Sequence, residues 1–199
     1  MPEHHTHIAE SVKQGIVGSI KGTGEIVNAV VDTVSGTLVN TIRETGAVGT
    51  ALTTTVSDIL RGAIQGTRQV GGDVGDAAKG GMVGVLRGTR DVGVEATDTI
   101  STSARAVVKG TSEVGGDVGS AAKRAVEGAI TGAKELGLNA EAAASAAASG
   151  AIRGAGEISS TAVEEVRNAV TGVISGVKVV VKEPFSKDAG KKGEQRKAS

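Results

Sequence analysis

Aliphatic residues return at a fixed phase along the chain, with Ile26, Val48, Val70, Val92, Val114, Leu136, Ile158 and Val180 standing 22 residues apart. Within one period the apolar positions recur every four residues, as in Val114, Val118, Ala122, Val126 and Ile130. A strand would also need apolar residues between them, but those positions hold Gly116, Ser120 and Arg124. Spacing of four and not two predicts helix, and the alanine-rich run from Ala140 to Ala148 agrees by propensity. Each period is two elevens, and eleven residues complete three turns at about 3.67 per turn, close to the 3.6 of a natural α-helix. The apolar stripe therefore barely drifts, while Glu25, Asp91, Glu113, Glu135, Glu157, Arg43, Arg87, Lys109 and Arg153 lie opposite it.

The expected fold class is all-α: a long extended amphipathic helix built from 22-residue Gly/Ala/Val/Thr-rich repeats, either unbroken, folded into helical hairpins, or assembled with other copies. Proline occurs only at Pro2 and Pro184, so nothing within the repeats forces a kink. Unbroken from Gly22 to Gly176, the helix would span roughly 230 Å at 1.5 Å per residue. The expected organisation is a polar leader over 1–14 containing His4, His5 and His7, a repeat array over 15–181, and a basic tail over 182–199.

Glycine stands against this helix. Thirty-one glycines are present, each costing about 0.8–1 kcal/mol relative to alanine in a helix interior, so a lone helix should be largely unfolded in water. Glycine also keeps phase, at Gly22, Gly66, Gly88, Gly110, Gly132, Gly154 and Gly176, with Glu44 breaking the series. Partners four residues earlier complete small-xxx-small pairs: Gly18 and Gly22, Gly62 and Gly66, Gly84 and Gly88, Gly128 and Gly132, Gly150 and Gly154, Gly172 and Gly176. These pairs let backbones approach closely, mark turns between short helices, or keep the helix marginal and switchable.

The openings Gly66-Thr67-Arg68-Gln69-Val70, Gly88-Thr89-Arg90-Asp91-Val92 and Gly110-Thr111-Ser112-Glu113-Val114 resemble the eleven-residue repeats of the perilipins and synucleins. The resemblance covers roughly Gly15 to Val181 and is one of composition and period. It implies a chain disordered in solution that becomes a long helix on lipid droplets or membranes. Phasin-like granule coats and late-embryogenesis protectants share the style.

Composition narrows the function further. Lys plus Arg equals Asp plus Glu at 22 each, so no overall field draws in nucleic acid. Phe185 is the one aromatic residue, leaving Val, Ala and Ile to build any core. With no cysteine, disulfides and thiolate metal sites are excluded. Neither a secretory signal over Met1–Lys13 nor an uninterrupted apolar stretch of about 18 residues is apparent, so an intracellular, non-spanning protein is expected. Enzymatic readings fail because the only histidines lie in the first seven residues, far in sequence from the repeat hydroxyls. Gly71-Gly72-Asp73 and Gly115-Gly116-Asp117 lack the spacing of calcium-binding repeats, and His4, His5 and His7 read as an adventitious cluster. No cofactor or metal is expected.

The expected function is a non-enzymatic coat or scaffold protein, cytoplasmic and peripheral on a lipid or hydrophobic granule surface. Val70, Val74, Val92, Val114, Val118, Val126 and Ile130 would face the lipid. Gly62, Gly66, Gly84, Gly88, Gly128, Gly132, Gly150, Gly154, Gly172 and Gly176 would serve helix packing in the alternative, a filament, tube or sheet of many copies. A homo-oligomer or higher assembly is expected, with no nucleic-acid partner; a dispersed stress protectant is the third reading.

Overall fold

From Gly71 to Gly137, every 22 residues the helix pattern meets a glycine that leaves right-handed backbone. Gly71, Gly93, Gly115 and Gly137 stand one period apart with φ of 73°, 73°, 67° and 70°, values that glycine adopts without steric cost. At Gly115 the turn is a Schellman motif: the Gly116 amide donates to the Thr111 carbonyl at 2.9 Å and the Gly115 amide to Ser112 at 3.0 Å. Two residues past the left-handed glycine, Asp73, Asp117 and Asn139 accept from the amides of Asp76, Ser120 and Ala142 at 2.9, 2.7 and 2.8 Å. These side chains cap the next helix. The Gly-Gly-Asp strings are therefore stop-and-start signals between helices.

The computed structural model describes residues 3–23, 25–46, 50–93 and 96–181. They form α1 (Glu3–Thr23), α2 (Ile26–Thr45), α3 (Thr50–Gln69), α4 (Val74–Asp91), α5 (Ala96–Glu113), α6 (Val118–Glu135), α7 (Ala140–Gly156) and α8 (Ser160–Val170), followed by the hairpin β1 (Gly172–Ile174) and β2 (Val177–Val179). The all-α expectation holds at this level, but the array is a packed multi-helix stack and not one extended helix. α1 begins at Glu3, so the described part of the expected leader continues the first helix. The basic tail over 182–199, with Phe185, lies outside the described residues, as do Val48 and the side chains of His4 and His5.

Each helix packs most heavily on the helix two places away in sequence, α1 on α3, α3 on α5, α5 on α7, and α2 on α4, α4 on α6, α6 on α8. Two layers result, with odd-numbered helices in one and even-numbered helices in the other, and sequence neighbours meeting across the interface. Each helix supplies one apolar stripe to that interface, which is how repeat stacks bury a continuous core. Val34, Leu38, Val56, Ile59, Leu60, Met82, Leu86, Val107 and Val126 are fully buried within it.

The stripe expected to face lipid is largely consumed here. Val118, Val126 and Ile130 are buried, Val74 and Val114 pack against the same core, and Val70 and Val92 sit half-buried at turns. Folding the chain into hairpins lets neighbouring periods supply the apolar surface that a lone helix would have to find elsewhere.

Helix was expected to continue to Val181, but α8 stops after 11 residues. Ile174 pairs with Val177, and Ser175 and Gly176 take φ of 49° and 80°, a two-residue turn with both central residues left-handed. The hairpin packs against α6 and α7 and buries Ile174, Val177 and Val179, covering core that a longer α8 would have covered.

Gly115→Ala is expected to destabilise the stack by roughly 1–2 kcal/mol through the forced left-handed residue, and Asp117→Ala by about 1 kcal/mol through the lost cap. Urea denaturation followed by circular dichroism reads both; unchanged midpoints would show that the turns do not determine the fold.

Candidate functional site: the glycine and ion-pair ladders

Same-layer helices meet where glycine removes the side chain that would hold them apart. A Cβ on Gly66 would lie 2.8 Å from the Lys13 carbonyl oxygen, on Gly84 2.8 Å from that of Val31, on Gly128 2.5 Å from that of Lys79, and on Gly154 2.8 Å from that of Arg105. Gly62 and Gly150 lie against the backbones of Ala9 and Ser101 still more closely. Gly88 and Gly132 seat the side chains of Leu38 and Leu86. Since the order of contacts is preserved along each pair, helices within a layer run parallel.

Gly80 belongs to the same set although no expectation singled it out, its Cβ position lying 2.7 Å from the Val27 carbonyl oxygen. Its signal was the phase that it shares with Gly36, two periods earlier. Gly172 and Gly176, by contrast, take φ of 102° and 80° in and around the hairpin and pack no helices. Their chain has already left the helical phase at Thr171.

One interior junction departs from the rule. Ala106 occupies the phase that glycine holds at Gly62, Gly84, Gly128 and Gly150. Between α3 and α5 there opens a groove of about 310 Å³, lined by Ser57, Asp58, Arg61, Thr102, Arg105 and Lys109 among others.

Charges on the outer faces form a second ladder in register with the first. Arg61 pairs with Glu113 at 2.8 Å, Arg87 with Glu135 at 2.9 Å, Lys109 with Glu157 at 2.8 Å and Arg124 with Asp76 at 2.9 Å, while Arg105 also pairs with Glu157. The partners lie 48 or 52 residues apart and so join adjacent helices of one layer. Hydrogen bonds from Arg105 and then Lys109 hold the Glu157 carboxyl below its ordinary pKa. Hydrogen bonding to Glu127, and then attraction to Asp76, holds the Arg124 guanidinium above its usual value. Such half-exposed pairs each contribute under about 1 kcal/mol, so they set register more than strength.

Among the described residues, no group of three His, Cys, Asp or Glu side chains is placed to hold a metal, and His7 is exposed. No described helix is long and apolar enough to cross a membrane. No protein-family model matches the chain, and no curated protein matches it either.

Adding a Cβ tests the glycine ladder directly. Gly128→Ala is expected to lower stability by about 1–3 kcal/mol despite its better propensity, because the methyl overlaps the Lys79 carbonyl. Gly18→Ala, where nothing lies within 4 Å, is expected to raise stability by up to about 1 kcal/mol. Equal effects of the two changes in denaturant titrations would contradict the ladder.

The acid limb of stability offers a check on Glu157. Its carboxyl titrates lower when folded than its ordinary 4.5, so its contribution is present above that pH and is lost as pH falls through the folded value. Glu157→Gln is expected to flatten the stability profile below about pH 4.5 by under about 1 kcal/mol. An unchanged acid limb would show that the pairing has no energetic weight.

Proposed function

We propose that the protein is a non-enzymatic scaffold, a helical-repeat stack that builds larger structures by joining further copies head to tail. The observation that carries this reading is that ladder positions on α1, α2 and α7 keep the phase of the paired ones but meet no partner among the described residues. Counted in periods, Glu25 stands to Arg153 of a preceding copy as Glu135 stands to Arg87 within the chain.

The end residues favour the same occupant. Gly18 on α1 and Gly36 on α2, equivalent to the cradling Gly62 and Gly80, have nothing within 4 Å. At the far end Ser145 and Ser149 of α7 hold the phase of Ser101 and Arg105, which seat Gly150 and Gly154, and no described glycine lies against them. Glu25 accepts from Asn28 and Arg153 donates to Ser101, but neither has an ion-pair partner among the described residues. A second copy supplies both the missing helix and the missing charge. Such a contact is heterologous and propagates unless its rotation closes a ring.

A second reading keeps the lipid or granule coat, peripheral and on the cytoplasmic side. Its support is a core built largely of alanine and valine, with left-handed glycines at the turns of Gly71, Gly93, Gly115 and Gly137. Opening at those turns would release the stripe onto an apolar surface, with affinity spread over repeats.

Sedimentation velocity over a range of concentrations tests the scaffold reading. Concentration-dependent growth is expected, weakened by Arg153→Glu or Glu25→Lys alone and restored when both are combined. A monomer at every concentration, or single variants that assemble as the parent does, would overturn it. Growth in helicity only with vesicles would move the assignment to the coat.

A further inference from the structure

The two layers leave a cavity of about 560 Å³ where the α6–α7 turn meets the end of α4 and the start of α5, within the range of small-molecule sites. Its cause is legible in the sequence. In the odd layer, the positions held by Thr54 and Thr55 in α3 and by Asp98 and Thr99 in α5 are Ala142 and Ala143 in α7, the two residues of that helix that line the space. The first turns of α7 therefore bring methyl groups to a place where the earlier helices bring larger side chains.

Leu86, Ile100, Leu138 and Ala143 line the apolar part, and Arg90 stands among the lining residues with its side chain exposed. Leu138 is 43% exposed, an aliphatic side chain left in water at the mouth of the space. Arg87, one turn away, is engaged by Glu135, whereas Arg90 has no ion-pair partner among the described residues. No carboxylate is among the described lining side chains. An apolar slot edged by a guanidinium that makes no ion pair among the described residues, although Asp32, Asp91 and Glu135 line the adjoining groove with it, matches a particular chemistry, a hydrocarbon chain ending in an anion.

We infer that this cavity binds a single-chain amphiphilic anion of the fatty-carboxylate class. The alkyl chain lies against Leu86, Ile100, Leu138 and the α7 alanines, and Arg90 holds the carboxylate. The site is independent of head-to-tail assembly, since it lies between helices of one chain.

Titration of the full chain with decanoate below its micelle concentration, followed by ¹H–¹⁵N NMR, tests the inference. Saturable shifts centred on Leu86, Arg90, Ile100, Leu138 and Ala143 are expected. Arg90→Gln should weaken decanoate binding about tenfold while leaving decanol binding unchanged. Ala142→Leu, which fills the cavity, should weaken both, with helicity checked by circular dichroism. Anionic phospholipid vesicles form the second arm: shifts at the same residues with vesicles but not with free decanoate would overturn the free-acid ligand. Absence of saturation, shifts centred elsewhere, or equal binding of decyltrimethylammonium would overturn the site itself.

Discussion

The architecture depends on the contact of helix backbone with helix backbone inside each layer. At Gly84, Gly128 and Gly154 there is no room for a Cβ beside the neighbouring carbonyl, so the helices approach as closely as the chain permits. The gain is dispersion and close carbonyl contact over a whole helix length, which offsets the propensity cost of the glycines. Once the same-layer distance is so set, small side chains suffice to fill the space between the layers. A core with no described aromatic residue becomes workable for this reason.

The ion ladder follows from that geometry. Parallel helices two periods apart place a cation on one helix beside an anion on the next, as with Arg87 and Glu135 or Lys109 and Glu157. In any other register the pairs would miss. The turns before α4, α6 and α7 complete the arrangement, each combining a left-handed glycine with an Asp or Asn cap so that these periods reverse direction at the same phase. Local and global signals agree at these positions, which is the mark of a sequence with one preferred structure.

Much of this was legible in the chain, and the failures have physical causes. The period, the helix type and the phase of Gly62, Gly66, Gly128 and Gly132 followed from spacing alone. The lipid-facing expectation for Val118, Val126 and Ile130 identified the apolar stripe, but periodicity cannot say whether such a stripe meets lipid or the next repeat. The turns stood only as one alternative because an eleven-residue stripe runs through them without losing phase. Gly71-Gly72-Asp73, Gly115-Gly116-Asp117 and Gly137-Leu138-Asn139 marked them, as a C-terminal cap followed by an N-terminal cap. The hairpin was missed because Gly172 and Gly176 keep the glycine phase of helical repeats while adopting left-handed backbone. The cavity at α7 was visible as an alanine run, which had served only as evidence of helix.

Distance between spin labels across the stack tests the central claim most directly, and the absence of cysteine makes site-directed labelling clean. Labels on Ser11→Cys in α1 and Ala142→Cys in α7 occupy exposed positions at opposite ends of the odd layer. Three interhelical steps of about 8–10 Å each predict a separation of roughly 24–30 Å, broadened by the label tethers. An unbroken helix would place the same residues about 200 Å apart and outside the measurable range. A sharp short distance is the expected result; its absence in the dilute, lipid-free protein would contradict the stacked fold.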